Sequence, residues 1–453
     1  MRRLSIGGRM ARLGGHEASR EGLGSMSVGK AGAITALDLG ASKVACFIMT
    51  PDGVRRADQT IRVAYMGHVQ SRGIRGGALV DLEQAADAVS HAVQRAERDS
   101  ADPVSGAVVA TAIGQQVGHR INTVVSLGAR PIRDSDLFRA IASAMGRANL
   151  PGRRPIHILP LRWSVDAGPP VRDPRGLTGD QLGLELLIVT MAETAFTALS
   201  HCLALAHLDL EGVVSAPFMS ALSVLEEDEK ELGCACIDMG GGSTTAAVFT
   251  GGALVHIDGV PVGGAHVTQD IARGLSTSMN GAERIKTMHG SCMASAHEDG
   301  EQIEAPARGD DPGAPTIKVD RGIVTNIIAP RVEETLELVR DRLRQSGAPF
   351  EPGASIVLTG GASQLVGVRE LAVRVFDGRP VRLARPLRSP HLADAASGPA
   401  FCAASGVLVR AAYGPREAVS AKKMLSAKIG PGATSQGQDG FVPRMIRWVA
   451  ENF

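Results

Sequence analysis

Three glycine-rich turns follow apolar runs in this chain, and two of them are entered through an aspartate. They are Asp38-Leu39-Gly40-Ala41-Ser42-Lys43, Asp238-Met239-Gly240-Gly241-Gly242-Ser243-Thr244 and Thr359-Gly360-Gly361-Ala362-Ser363. A turn without side chains lets the backbone approach an anion closely and aim its N–H groups at it, which suits phosphate. Two opposed turns of this kind can clamp a triphosphate. A third that opens a helix can support the α-phosphate and ribose at the helix's positive end. Carboxylates at the strand ends, Asp38 and Asp238, would hold Mg²⁺ through water, because that ion keeps much of its hydration shell. Any one of these turns could serve only to reverse the chain. All three in this order, with paired aspartates, point to a nucleotide. No GxxxxGK[ST] loop and no strand-linked GxGxxG occurs, so the other common nucleotide folds lack support.

The elements that must carry these turns are legible as apolar runs. Residues 34–40 read as a buried strand with a hairpin partner at 44–50, and 234–240 with 246–250 repeat the pattern. That internal repeat implies a duplicated lobe. Asp81 caps a helix whose Leu82, Ala85, Ala86, Val89, Val93 and Ala96 recur at helical spacing. Between the two copies, strands at 107–113, 123–127, 156–159 and 184–191 and a helix capped by Asp134 or Ser135 predict a small inserted α+β domain. A second insertion contains the acidic, Gly/Pro-rich stretch 298–315. Beyond it come an amphipathic helix at 331–345, a strand at 356–359 and a helix from about 365 to 376.

With 453 residues, two or more lobes are expected. Hydrophobic content of 44% and charged content of 21% fit a soluble globular protein, and only 3% aromatics leave the core to aliphatic residues. A net charge of +1, with no aromatic-plus-basic cluster, argues against nucleic acid as a partner. The six cysteines are scattered through apolar runs and read as reduced thiols in a cytoplasmic compartment. His289, Cys292 and His297 match no metal spacing. Residues 1–32 lack the apolar core of a secretory signal and read as a disordered tail, with Met10 or Met26 as alternative starts. No apolar run is long enough to span a bilayer.

The last residues differ from everything before them. After a Gly-, Ser-, Ala- and Lys-rich linker (414–440), Phe441, Val442, Met445, Ile446, Trp448, Val449 and Phe453 fill one arc of a helical wheel, interrupted only by Asn452. Arg444, Arg447 and Glu451 take the other side. At ~1.5 Å per residue the helix is roughly 20 Å long, too short to span and suited to lying in an anionic lipid interface.

The first turn resembles the phosphate-1 motif of the actin, sugar-kinase and DnaK superfamily. The second resembles phosphate-2, and 357–363 resembles the adenosine motif. Within that superfamily the chain is similar to the FtsA family of bacterial cell-division actins. Glu231-Leu232-Gly233, Phe249-Thr250-Gly251-Gly252-Ala253-Leu254, Ser71-Arg72-Gly73-Ile74 and the order of parts carry the likeness, from about Ile34 to the end. The resemblance implies an α/β, actin-like two-lobed ATPase fold with duplicated ribonuclease H-like lobes, an inserted domain (1C) and a C-terminal amphipathic helix. It implies subdomain 1A at 33–102 and 192–233, 1C at 103–191, 2A at 234–260 and 329–413, and 2B at 261–328.

Further expectations come with the family. ATP and Mg²⁺ are the implied cofactors, with Glu283 and Lys286 flanking the adenine; read alone, these two are an ordinary i,i+3 helix pair. Subdomain 2B is the implied dock for the ring protein FtsZ, near Lys318 and Arg321, and 1C is the implied contact for self-association and other division proteins. The place is the inner face of the cell membrane at the division septum. Two departures stand out. Ser243-Thr244-Thr245 replaces the Thr-x-Asp of many relatives, and Ser215-Ala216-Pro217-Phe218-Met219-Ser220 holds no Gln, Asp or Glu to orient water or act as base. Weak hydrolysis at most is expected. A sugar or acid kinase would need a carboxylate there, and a DnaK-like chaperone would need a further C-terminal domain. A pilus-assembly relative such as PilM would lack the terminal helix.

Overall fold

In a computed structural model of the chain, an unbroken run of buried residues makes Ile34–Leu39 (β1) the centre of a sheet covered on both faces. The structure describes residues 33–413 apart from 50–53, 56–59, 62, 99, 101–102, 294–299, 307–315, 349, 351–352 and 387–396. The expected tail (1–32), linker (414–440) and terminal helix (441–453) lie outside the described residues, as does His297.

β1 pairs antiparallel with Lys43–Met49 (β2), which pairs with Tyr65–Gln70 (β3). Helix α1 (Leu82–Glu97) follows, its first turn closed by Asp81 Oδ1 accepting the Gln84 N–H at 3.0 Å. Strand β4 (Gly106–Thr111) returns parallel to β1.

The chain then leaves for the insertion: β5 (Val117–Pro131), α2 (Asp134–Arg147), β6 (Arg153–Val165) and β7 (Thr178–Ala192). The strands form an antiparallel sheet in the order β6-β7-β5, with a core of its own around Ile141, Ile158, Leu186 and Ile188. These strands run well past the short stretches expected from the sequence. Much of β5 is exposed, so only its apolar centre is visible to a search for buried runs. The start of α2 also differs from expectation. Neither Asp134 nor Ser135 caps it; Asp136 reaches back to the Arg133 N–H at 3.0 Å, held by Arg130 through two contacts of 2.7 Å.

The chain rejoins the first lobe through α3 (Glu193–Leu205) and β8 (Asp209–Ser215), completing the order β8-β4-β1-β2-β3, and crosses to the second lobe by α4 (Ala216–Val224). There the first pattern recurs. β9 (Cys234–Met239) is antiparallel to β10 (Thr244–Thr250), which pairs with β11 (Ala253–Val260). Helices α5 (Gly264–Gly274) and α6 (Met279–His289), a hairpin of β12 (Gln302–Pro306) and β13 (Thr316–Asp320), and α7 (Arg321–Gln345) precede β14 (Ser355–Thr359). β14 is parallel to β9 as β4 is to β1, so the lobe is a true repeat. After α8 (Val368–Val375), β15 (Val381–Leu383) completes the order β11-β10-β9-β14-β15, and α9 (Cys402–Tyr413) packs back on the first lobe.

Two elements are longer or shorter than expected. α7 begins at Arg321, not 331, because the helix accommodates Pro330 in its interior; it runs through the division drawn between 328 and 329. The helix expected from 365 shrinks to α8, since Gly367 takes a left-handed conformation (φ 76°) after a single 3₁₀ turn at Gly361–Gln364. All six cysteines are buried and outside any disulfide, and burial pushes Cys46, Cys234, Cys292 and Cys402 up to about 12. Among the described residues no helix is long and apolar enough to cross a membrane.

Candidate nucleotide site

The two aspartate turns are built alike and meet tip to tip. In one, the Gly40 N–H donates to Lys43 O at 3.1 Å; in the other, the Gly240 N–H donates to Ser243 O at 3.0 Å. A Cβ added at Gly241 would lie 1.7 Å from Ser42 Oγ and 2.9 Å from Ser42 Cβ, and one at Gly242 would lie 2.6 Å from Ala41 Cβ. Only glycine allows this approach. Beneath the tips opens a cleft of about 560 Å³, of the size that takes a nucleotide.

Asp38, Gly40, Ala41, Ser42 and Lys43 line one wall. Asp238, Gly240, Gly241, Gly242 and Ser243 line the other, and Gly360, Gly361 and Ala362 close the floor. Glu283 and Lys286, with Met288, Leu365 and Val366, form the far end. Sequence reasoning therefore placed most of these residues together. Two of its candidates do not face the cleft. Thr244 is buried, its hydroxyl donating to Val262 O at 2.8 Å, and strand alternation hands its place to Thr245. Ser363 is also buried and donates to Gly360 O at 2.8 Å, closing the third turn.

Arg321 lies in the cleft wall, its guanidinium 2.8 Å from Glu301. Lys318 is exposed on β13, away from the cleft. Ile74, quoted above only for the family likeness, lines the cleft too, and Gly77, Gly264, Met288 and Gln364 line it and went unread in the sequence. Of these only Gly264, in a Gly-Gly doublet opening α5, carried a signal.

The charges are arranged for an anion and a cation together. Lys43 Nζ is 2.6 Å from Asp38 Oδ2. Asp238 accepts the Ser220 hydroxyl at 2.5 Å; burial, with Asp38 adding to it, pushes its carboxyl up to about 6, while the Ser220 hydrogen bond and Lys43 oppose the rise. At the far end Lys286 Nζ contacts Glu283 Oε2 at 2.7 Å, Thr268 Oγ1 at 2.8 Å and Gly264 O at 3.2 Å. Gly360, at φ 87°, is required on two counts: the left-handed backbone, and a Cβ that would fall 2.3 Å from Asp238 Oδ1. The glycine cradle fits phosphates, and two lone carboxylates fit an ion that keeps its water and takes its other ligands from phosphate. No cluster of three or more His, Cys, Asp or Glu competes for a metal among the described residues. Connecting helix α4 presents Ala216 to the cleft and no base.

Comparison with known proteins settles the family. Over 426 residues the chain is 37% identical to the cell division protein FtsA of Agrobacterium fabrum, covering 93% of this chain and 95% of the relative. The chain belongs to the FtsA family. The FtsA of Pseudomonas aeruginosa is 32% identical over 425 residues, covering 93% and 98%, and that of Escherichia coli K12 is 30% identical over 438. Residues 235–406 match the family model for cell division protein FtsA, and 115–190 match that for the SHS2 domain inserted in FTSA, the domain that carries β6 and β7. The solved PilM–PilN type IV pilus biogenesis complex superposes with a TM-score of 0.58 at 15% identity, covering 84% of this chain and 98% of that one, a likeness of fold alone. The protein is thus an FtsA-family cell-division protein with the actin-like ATPase fold, in which two duplicated lobes carry an inserted SHS2 domain.

Proposed function

We propose that this FtsA-family protein binds Mg·ATP between its aspartate turns, polymerises on the inner face of the cytoplasmic membrane, and anchors the FtsZ ring there while recruiting later division proteins. The observation that carries the reading is the tip-to-tip meeting of two equivalent Asp-Gly turns over a cleft of about 560 Å³. Backbone N–H groups of both turns hold the phosphates, Lys43 neutralises charge among them, and Glu283 and Lys286 hold the nucleoside end. Asp38 and Asp238 would hold Mg²⁺ through its water shell, and the bound ion would supply positive charge against the triphosphate. Hydrolysis is slow or absent, because no group on α4 orients water. The ATP-bound state serves to bring the lobes into the form that assembles.

The insertion (103–191, the proposed 1C) supplies contacts for self-association and division proteins. The β12–β13 hairpin, with Lys318 exposed, supplies the FtsZ dock in the proposed 2B together with Arg321 at the start of α7, which also lines the cleft. The membrane link rests on the sequence of 441–453, whose apolar arc suits an interfacial helix and whose Arg444 and Arg447 each add about 1 kcal/mol toward an anionic surface. One such helix binds weakly, so polymerisation, presenting many together, makes attachment strong. Sedimentation with anionic liposomes, with and without ATP and then with FtsZ, tests this. Trp448→Glu should release the protein from lipid with ATP binding intact. Pelleting of Trp448→Glu equal to the parent's would overturn the tether.

A further inference from the structure

The second lobe's aspartate is held by a helix that the chain reaches from the first lobe. Ser220 of α4 is wholly buried and donates its hydroxyl to Asp238 Oδ2 at 2.5 Å. The other oxygen, Oδ1, lies against Gly360, where an added Cβ would approach to 2.3 Å. An aspartate has two side-chain torsions. A hydrogen bond on one oxygen and close packing beside the other fix both. We infer that Ser220 is a positioning residue for the metal: it occupies Oδ2 so that Asp238 offers the cleft one oriented oxygen for the metal's water shell.

Ser220 is itself well anchored. The Ser215 N–H at the head of α4 donates to His157 Nε2 of β6 at 2.9 Å. One residue before Ser220, α9 crosses so closely that a Cβ at Gly406 would lie 1.8 Å from Met219 O. The Ser223 hydroxyl donates to Ser220 O at 2.8 Å. The backbone that carries the hydroxyl therefore cannot follow Asp238 if the carboxylate turns. The metal site of one lobe keeps its geometry only while α4, braced by the insertion and by α9, stays docked on β9. A search for carboxylates and amides in 215–220 overlooks this residue, because its role is to orient an acid and not to act as one.

The inference rests on the reading of the cleft as a Mg·ATP site, and its test separates the two. Calorimetric titration of the full chain with ATP, in Mg²⁺ and in EDTA, gives the factor by which Mg²⁺ tightens binding. In Ser220→Ala that factor should fall about tenfold, the usual loss with a hydrogen bond to a charged acceptor, while affinity in EDTA stays within about twofold of the parent's. Ser220→Thr, which keeps the hydroxyl, should restore much of the factor. Should Ser220→Ala fail to fold, Ser220→Cys, nearly isosteric and a weak donor, provides the same comparison. A purely structural serine would lower both affinities together, or only the melting temperature, and either result overturns the inference. So does an unchanged Mg²⁺ factor. A parent chain whose ATP binding ignores Mg²⁺ overturns the site reading along with it.

Discussion

Replacing Gly241 with alanine inserts one methyl group where the two turns touch. Its Cβ would lie 1.7 Å from Ser42 Oγ, which can rotate away, and 2.9 Å from Ser42 Cβ, which cannot. Carbon atoms in contact prefer about 3.5–4.0 Å, so the turns must part by most of an ångström. Gly241 does not have a positive φ, so alanine brings no backbone strain of its own. Overpacking of this kind costs about 1–3 kcal/mol. Because the strain is relieved by separating the walls of the cleft, it should appear as lost nucleotide affinity, roughly 5- to 150-fold. The assay is a double-mutant cycle on Mg·ATP binding by calorimetry. Ser42→Gly removes the colliding side chain at the expense of one hydroxyl. Gly241→Ala should therefore be much less damaging in the Ser42→Gly background, with a coupling of about 1 kcal/mol or more. Strictly additive losses, or a Gly241→Ala chain that binds Mg·ATP like the parent, would refute the account of how the turns meet.

Other outcomes follow from the same geometry. ATP turnover by the purified protein should fall below about 1 per second, under the usual kinase range; a phosphate-release assay giving tens per second would restore an enzyme reading. In the insertion, the Arg130 hydrogen bonds hold the Asp136 carboxyl down at about 2 against an ordinary 3.8, with the Arg133 N–H and Arg139 adding to the effect. A depressed acid stabilises above its unfolded value and loses that contribution as pH falls from about 4 to 2. The full shift converts to roughly 2.4 kcal/mol. Arg130 and Arg139 are 39% and 51% exposed, so screening reduces this to about 1 kcal/mol. Asp136→Asn should thus lower thermal stability at neutral pH and leave it unchanged near pH 2. An equal loss at both pH values would contradict the linkage.

Much of the fold was legible because the residues that position the site are also the most buried. The stretches 34–39 and 234–239 are largely apolar on both faces, with an Asp near the end, and a Gly follows each, so strand, turn and repeat could be read together. Asp81 announced its helix by a side-chain cap. Where a cap depended on a tertiary partner, as Asp136 depends on Arg130, sequence pointed to its neighbours instead. Pro330 ended a helix on paper that continues through it in space. Thr244 and Ser363 belong to the right turns yet face inward, since a motif fixes the backbone path and not which hydroxyl the pleat turns toward the cleft. Arg321, named in the sequence only as a partner contact, and Ser220 make pairings that were beyond reach for another reason. Each acts on a residue distant in the chain, Glu301 and Asp238, and no local spacing records such a pairing.

Equilibrium titration of ATP in Mg²⁺ decides whether the cleft between the aspartate turns holds Mg·ATP. The parent chain should bind, and Asp38→Ala and Asp238→Ala should each lose at least about tenfold in affinity for Mg·ATP, the scale of a charged contact removed, while melting cooperatively like the parent. Normal Mg·ATP affinity in both variants would contradict the account.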